Sequence, residues 1–280
     1  MSRNKNRLQL PESPPATAPR PDNPVGYSVP TELVDLPSKG EFCPPEHPLY
    51  KQETVEVRFM TAKDEDILTS PSYLSNGVAI DKFLSNILVD KNINQEDLLI
   101  ADRNAILIGA RITGYGNTFD SNFECHHCGA SNTAQVDLEQ FGVKKSEEST
   151  LKELGAEMKD GLCSFKIDML DANIQIKVST YGTQKNLSEM NDNKVRLGLE
   201  ESSTTDFLKS IIVTINGTDD RTLIGHVVDL MPALDARKIR KVHNLVTPEI
   251  DTEVNLTCLK CGEVSRMEVP FSTGFFWPEL

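Results

Sequence analysis

This chain of 280 residues is poor in aromatics, with one Trp and five Tyr, so it offers few rings on which bases or sugars could stack. It is also short of positive charge. Twenty-nine Lys and Arg stand against 42 Asp and Glu, a formal net charge of −13. A surface that negative repels nucleic-acid phosphate and anionic lipid, which argues against nucleic acid and membrane as partners. No apolar run approaches the roughly 20 residues that span a bilayer. The basic start, Met1 to Arg7, is followed by no apolar stretch of signal-peptide type, so the expected location is the cytosol. Catalytic signatures are missing too: there is no phosphate-binding Walker loop, no Gly-x-Ser-x-Gly, no His-Glu-x-x-His and no dinucleotide fingerprint. The expectation is a protein that is not an enzyme and takes no small-molecule substrate.

What the chain does have is six cysteines, four of them in two matching turns. Phe123-Glu124-Cys125-His126-His127-Cys128-Gly129 parallels Leu256-Thr257-Cys258-Leu259-Lys260-Cys261-Gly262. In a reducing compartment such pairs point to metal rather than to disulfides. A Cys-x-x-Cys turn places two sulfurs on one side of a tight hairpin, and two such turns supply the four ligands of a tetrahedral zinc site. The glycine after each pair permits the positive φ that the turn uses. Cys125, Cys128, Cys258 and Cys261 are therefore the expected ligands of one structural Zn2+, although most of the chain lies between the pairs. Two rival readings use His126 or His127 as a ligand, or a redox disulfide. Adjacent histidines inside such a turn normally point away from the metal, and the flanking hairpins do not fit a thioredoxin-like unit. Cys43 and Cys163 are expected to be ordinary small side chains.

The pattern along the chain predicts an α+β fold, with a helical region packed on short antiparallel hairpins and the two cysteine knuckles forming a split zinc ribbon. Residues 1–30, punctuated by seven prolines, are expected to be a disordered tail. Residues 31–141 should hold a helical core and the first knuckle. Val55 to Phe59 alternates as a strand, Thr61 and Asp64 resemble a capping box, and apolar spacing marks a helix at 79–90 and, from Asn94 or Gln95, two short helices, the second at about 102–113. Arg111, on the second of these, is compatible with burial or with a partner. Residues 142–205 are a candidate inserted subdomain, containing a strand pair at 164–168 and 174–178 and a polar stretch from 182 to 203. Residues 206–280 should carry helices at 207–215, 223–230 and 234–246, the second knuckle and an aromatic end. Arg237-Lys238-Ile239-Arg240-Lys241 fits a solvated helix face. Phe275, Phe276 and Trp277 must dock either on the chain's own core or on a partner.

Several stretches together resemble the T4-like phage baseplate family. They are Leu36 to Gly40, Pro45 to Pro48, Thr54 to Leu68, Val89 to Ile93, Asp97 to Leu99 and Ala110 to Gly116, together with the knuckles and Phe275-Phe276-Trp277-Pro278. The likeness covers about 34–140 well and the C-terminal third loosely. It implies a structural or assembly component of a contractile-tail baseplate, in its hub region. Other tail proteins would be its partners, and it would reside in the host cytoplasm during assembly or in the virion tail. The alternative class is a zinc-ribbon nucleic-acid-binding or transcription factor, which the −13 charge and the absence of a basic aromatic face oppose.

Overall fold

In a computed structural model, residues 28–144, 148–269, 271 and 273–276 are described. The expected tail, all but residues 28–30, lies outside them. The chain divides at Pro30 into two units, of which the second, Thr31–Leu280, holds every strand and helix found among the described residues.

Two apolar clusters organise that unit. The first is built mostly from the N-terminal half. Strands β1 (Thr31–Asp35) and β2 (Thr54–Arg58) pair antiparallel and lie beside α1 (Ala62–Thr69), α2 (Pro71–Ser75), α3 (Ala79–Ile87) and α4 (Ile100–Tyr115). Val55 and Val57 turn inward from β2, Phe83, Leu84 and Ile87 from α3, and Ile106, Leu107 and Ala110 from α4. The expected capping box is present. Thr61 caps α1 while Asp64 returns a bond to its backbone N–H, and the buried Asp64 carboxylate also takes both arms of Arg58 and the Asn86 amide. Arg58 heads the bonds that hold the Asp64 carboxyl below its ordinary range against the opposing effect of burial. The hairpin β3 (Thr118–Glu124) and β4 (Ser131–Asp137) closes this half, and β5 (Gly142–Val143) leaves it.

The second cluster has a sheet at its centre. After α5 (Glu148–Glu153), strands β6 (Glu157–Lys159), β7 (Leu162–Ile167) and β8 (Ala172–Lys177) form an antiparallel meander. Next come α6 (Tyr181–Arg196), α7 (Ser203–Ile211) and β9 (Ile212–Ile215), which pairs with β8 to complete the order β6-β7-β8-β9. Helices α7, α8 (Arg221–Asp229) and α9 (Ala233–Val246) bring Leu208, Ile211, Ile224, Val228, Ile239, Val242 and Val246 onto Phe165, Ile167, Ile174, Ile176 and Ile212. Helices on one face of an antiparallel sheet make an α+β layer. Helices α7 to α9 cover this sheet, so the apolar cluster it organises continues past residue 205 to Val246. Three local expectations also change. The helix expected over 207–215 stops at Ile211, since the β-branched run Ile212-Val213-Thr214-Ile215 joins the sheet edge. The polar stretch from 182 is the long helix α6, capped by Thr180. The two expected short helices between 94 and 113 are a turn followed by the single helix α4.

The chain then returns to the first cluster. β10 (Ile250–Asp251) pairs with β5, and β11 (Glu253–Thr257) with β12 (Val264–Glu268). Val254, Leu256, Val269, Phe275 and Phe276 all belong to the first core. The two cores meet at a polar latch. Asp81 of α3 accepts from Arg103 at 2.9 Å and from Lys185 of α6 at 3.0 Å, and Tyr181 stacks against the Arg103 guanidinium at 3.5 Å. The backbone approaches so closely at this point that a side chain at Gly182 would come within 2.9 Å of the Glu96 carbonyl.

His243 of α9 is buried in the second core, with its ring edge-on to Phe207 and its Nε2 accepting the Ser179 N–H. Burial disfavours the imidazolium and lowers its pKa below the ordinary 6.5. The unfolded chain therefore takes up this proton first as pH falls. Stability from this site should be complete above about pH 6.5 and decline below it. Thermal melts from pH 7.5 to 5 should show a shallower fall for His243→Gln than for the natural chain; parallel curves would refute this.

Candidate metal centre

Each cysteine turn is fixed by its own backbone before the two meet. In the first, Cys125 N–H donates to Ala130 O and Gly129 N–H returns to Cys125 O, both at 2.9 Å. In the second, Cys258 N–H donates to Glu263 O at 2.8 Å and Gly262 N–H to Cys258 O at 2.9 Å. Gly129 and Gly262 have φ of 64° and 75°, as the reversed turn requires. The hairpins β3–β4 and β11–β12 carry these turns at their ends, and Phe123, Val136, Val254 and Leu256 seat both hairpins on the first core.

All four sulfurs lie within 4.8 Å of one another. Cys125 Sγ is 3.7 Å from Cys261 Sγ, and Cys128 Sγ is 3.7 Å from Cys258 Sγ. A disulfide would need about 2.05 Å, so both closest pairs are free thiols. Sulfurs held about 2.3 Å from a central zinc sit about 3.8 Å apart along each tetrahedral edge. The observed spacing is that of a tetrathiolate cage. Among the described residues, no other group of three or more His, Cys, Asp or Glu ligand atoms converges. His126 and His127 are exposed on the turn and do not join the cluster.

The local electrostatics split the thiols. Backbone N–H groups of Cys261 and Lys260 aim at the Cys258 sulfur and push its thiol down to about 6. The amides of Cys128 and His127 likewise lower Cys125. At Cys261 the Glu263 amide favours the thiolate, but burial and the neighbouring sulfurs outweigh it and push that thiol up to about 12. Four sulfurs at this distance cannot all carry charge unless a cation lies between them, and a dication would deprotonate the set.

One member of the site had no signature in the sequence. Asn132 on β4 is buried and bridges the two turns. Its Oδ1 accepts the Leu259 N–H at 2.9 Å, and its Nδ2 donates to Ala130 O at 2.7 Å and lies 3.5 Å from Cys258 Sγ. It follows the first turn by four residues, and only the folded hairpins show what it reaches.

The other two cysteines are inert. Burial, followed by Asp102 and Asp97, pushes the Cys43 thiol up to about 11, and burial alone does the same for Cys163. The aromatic end is turned inward. Phe275 packs against Phe119, Phe271 and Phe276, and Phe276 sits edge-on to Phe83. Arg111 is itself buried and donates to Phe275 O at 3.1 Å, Gly116 O at 2.8 Å and Thr118 O at 3.0 Å. Of the two alternatives open for the aromatic end, Phe275 and Phe276 take the chain's own core, where their rings pack against α3 and α4. Trp277 lies outside the described residues.

Residues 30–277 match the model of a family described as T4 bacteriophage base plate protein. The chain belongs to that family. The match takes in both cores and both cysteine turns. No curated protein and no solved structure gives a significant match. No helix among the described residues is long and apolar enough to cross a membrane.

Loss of the Asn132 bridge should loosen the cage without removing a ligand. Asn132→Ala is expected to weaken metal affinity by about 10–100-fold, as outer-shell changes do. Competition against a chromophoric chelator would measure it, and an unchanged affinity would show that the bridge is idle.

Proposed function

We propose that this base plate protein is a non-enzymatic structural or assembly component of the contractile tail's hub region, held together by one structural zinc ion. The observation that carries the metal reading is the sulfur cage, with closest sulfur pairs at 3.7 Å. Four thiolates leave no open position for water or substrate, which is the pattern of structural rather than catalytic zinc. An all-sulfur tetrahedron suits zinc or iron, and a redox-inert role favours zinc. Membership of the base plate protein family supports a structural role in the tail, and the stretches that resemble the hub-containing baseplate group favour the hub region.

The zinc also explains how a long chain closes on itself. It would tie residues 125–128 to 258–261 and fix both ends of the segment that forms the second core. Metal analysis of the purified chain should find about one zinc per molecule. Cys258→Ser should lose the metal together with solubility and the cooperative melt. Iron in place of zinc would overturn the assignment, and a metal-free, fully folded Cys258→Ser chain would overturn the structural role.

The tail assignment has its own test. A phage whose copy of this gene carries an early stop codon should accumulate no complete baseplates or tails by electron microscopy. Normal tails from that phage would exclude an essential role in the hub or its assembly.

A further inference from the structure

Four large apolar side chains stand exposed on the β7–β8 turn and at the junction of α8 and α9, two adjoining parts of the second core. Met169 and Leu170 form the β7–β8 turn and are 63% and 38% exposed. Leu230 ends α8 at 82%, and Leu234 lies in the first turn of α9 at 65%. Single exposed apolar residues are ordinary; a cluster held in a fixed frame marks an interaction surface.

The frame is the buried carboxylate of Asp235. Its Oδ1 accepts from the backbone N–H groups of Asp168 at 3.2 Å and Met169 at 3.1 Å, and its Oδ2 accepts from Leu170 at 2.9 Å. Lys238, one turn on, pairs with Asp168 at 3.0 Å. The turn bearing Met169 and Leu170 is thus clamped to the start of α9, beside Leu234. Such a surface is ordered before any partner arrives, which lowers the entropy lost on binding.

Positive charge lies beside it. Helix α9 buries Ala236, Ile239, Val242 and Val246, and helical spacing puts Leu234, Arg237, Lys238 and Lys241 together on the opposite side. The acids nearest in sequence to the corner are occupied: Asp168 by Lys238, Asp171 by Lys166 and Asp229 by Lys209. Among the described residues, Arg237 and Lys241 have no carboxylate within 4.0 Å. An apolar corner beside unpaired cations is therefore set into a chain of net charge −13.

We infer that this corner docks a segment of another protein that presents apolar side chains flanked by Asp and Glu. A second copy of the chain fits poorly, because two-fold pairing would set Arg237 and Lys241 against their own counterparts. Nucleic acid fits poorly as well, since the corner has no aromatic ring to stack a base and the whole chain repels phosphate. This inference draws its partner class from the tail-component reading but does not depend on the zinc.

The test is photo-crosslinking in infected cells, with benzoylphenylalanine placed at Leu230 or Leu234 of the full-length chain and, as a control, at the exposed Lys63 of α1. The expected adduct joins either corner position to one peptide of another protein, with Asp or Glu within a few residues of the attached apolar side chain. Reversing Arg237 and Lys241 to Glu should cut its yield about tenfold by opposing the partner's acids. Adducts to a second copy of the chain, adducts to nucleic acid, a yield indifferent to charge reversal, or no adduct above the Lys63 control would each overturn the inference. Metal content and melting temperature should match the natural chain in every variant, so that failure of the docking surface is separable from failure of the zinc reading.

Discussion

The structure depends on one closure: the second cysteine turn must come back to the first across more than 120 intervening residues. Bringing two points so far apart in sequence together is entropically costly, by about 5 kcal/mol in the chain-entropy account of a cross-link closing a loop of this size. A four-sulfur cage with a cation inside would offset that cost at a single point. The closure is also prepared from both sides. Asn132 joins the two turns through backbone groups, and the hairpins that carry them rest on the same apolar cluster.

A second tie reinforces the first. Arg111, buried on α4, directs three N–H donors to the carbonyls of Gly116, Thr118 and Phe275. Two of these lie where α4 gives way to β3, and the third is in the aromatic C-terminal segment. A buried guanidinium without such partners would be costly, so the segment at 273–276 is as much a requirement of Arg111 as the reverse. Phe275 and Phe276 then complete the core above α3 and α4. The metal centre and the C-terminal aromatic end are two halves of the same return of the chain. The surface inferred for another protein lies instead on the second core, where Asp235 clamps the turn bearing Met169 and Leu170 to the start of α9.

Local features were readable because their physics is local. The capping box at Thr61 and Asp64 needs only four consecutive residues. The apolar spacing of 79–87 and 233–246 marks helices whatever they pack on. Where two local signals overlapped, the reading failed. Phe207, Leu208, Ile211, Ile212 and Ile215 satisfy a helical period, yet β8 lies beside Ile212 to Ile215 and takes it as a strand. Helix α6 escaped notice because its surface is almost entirely polar, which leaves no apolar stripe to detect.

By itself the sequence determined the chemistry of the cage, since Cys-x-x-Cys-Gly fixes which atoms can bind a metal and how each pair must turn. It determined the acidic charge and the family as well. Only the tertiary structure decided that the two pairs meet, that Asn132 bridges them, that Phe275 and Phe276 point inward, and that the second core runs to Val246. Each of these is a contact between segments far apart along the chain. Their geometry is set by which apolar faces can be buried together, and residue order does not record that.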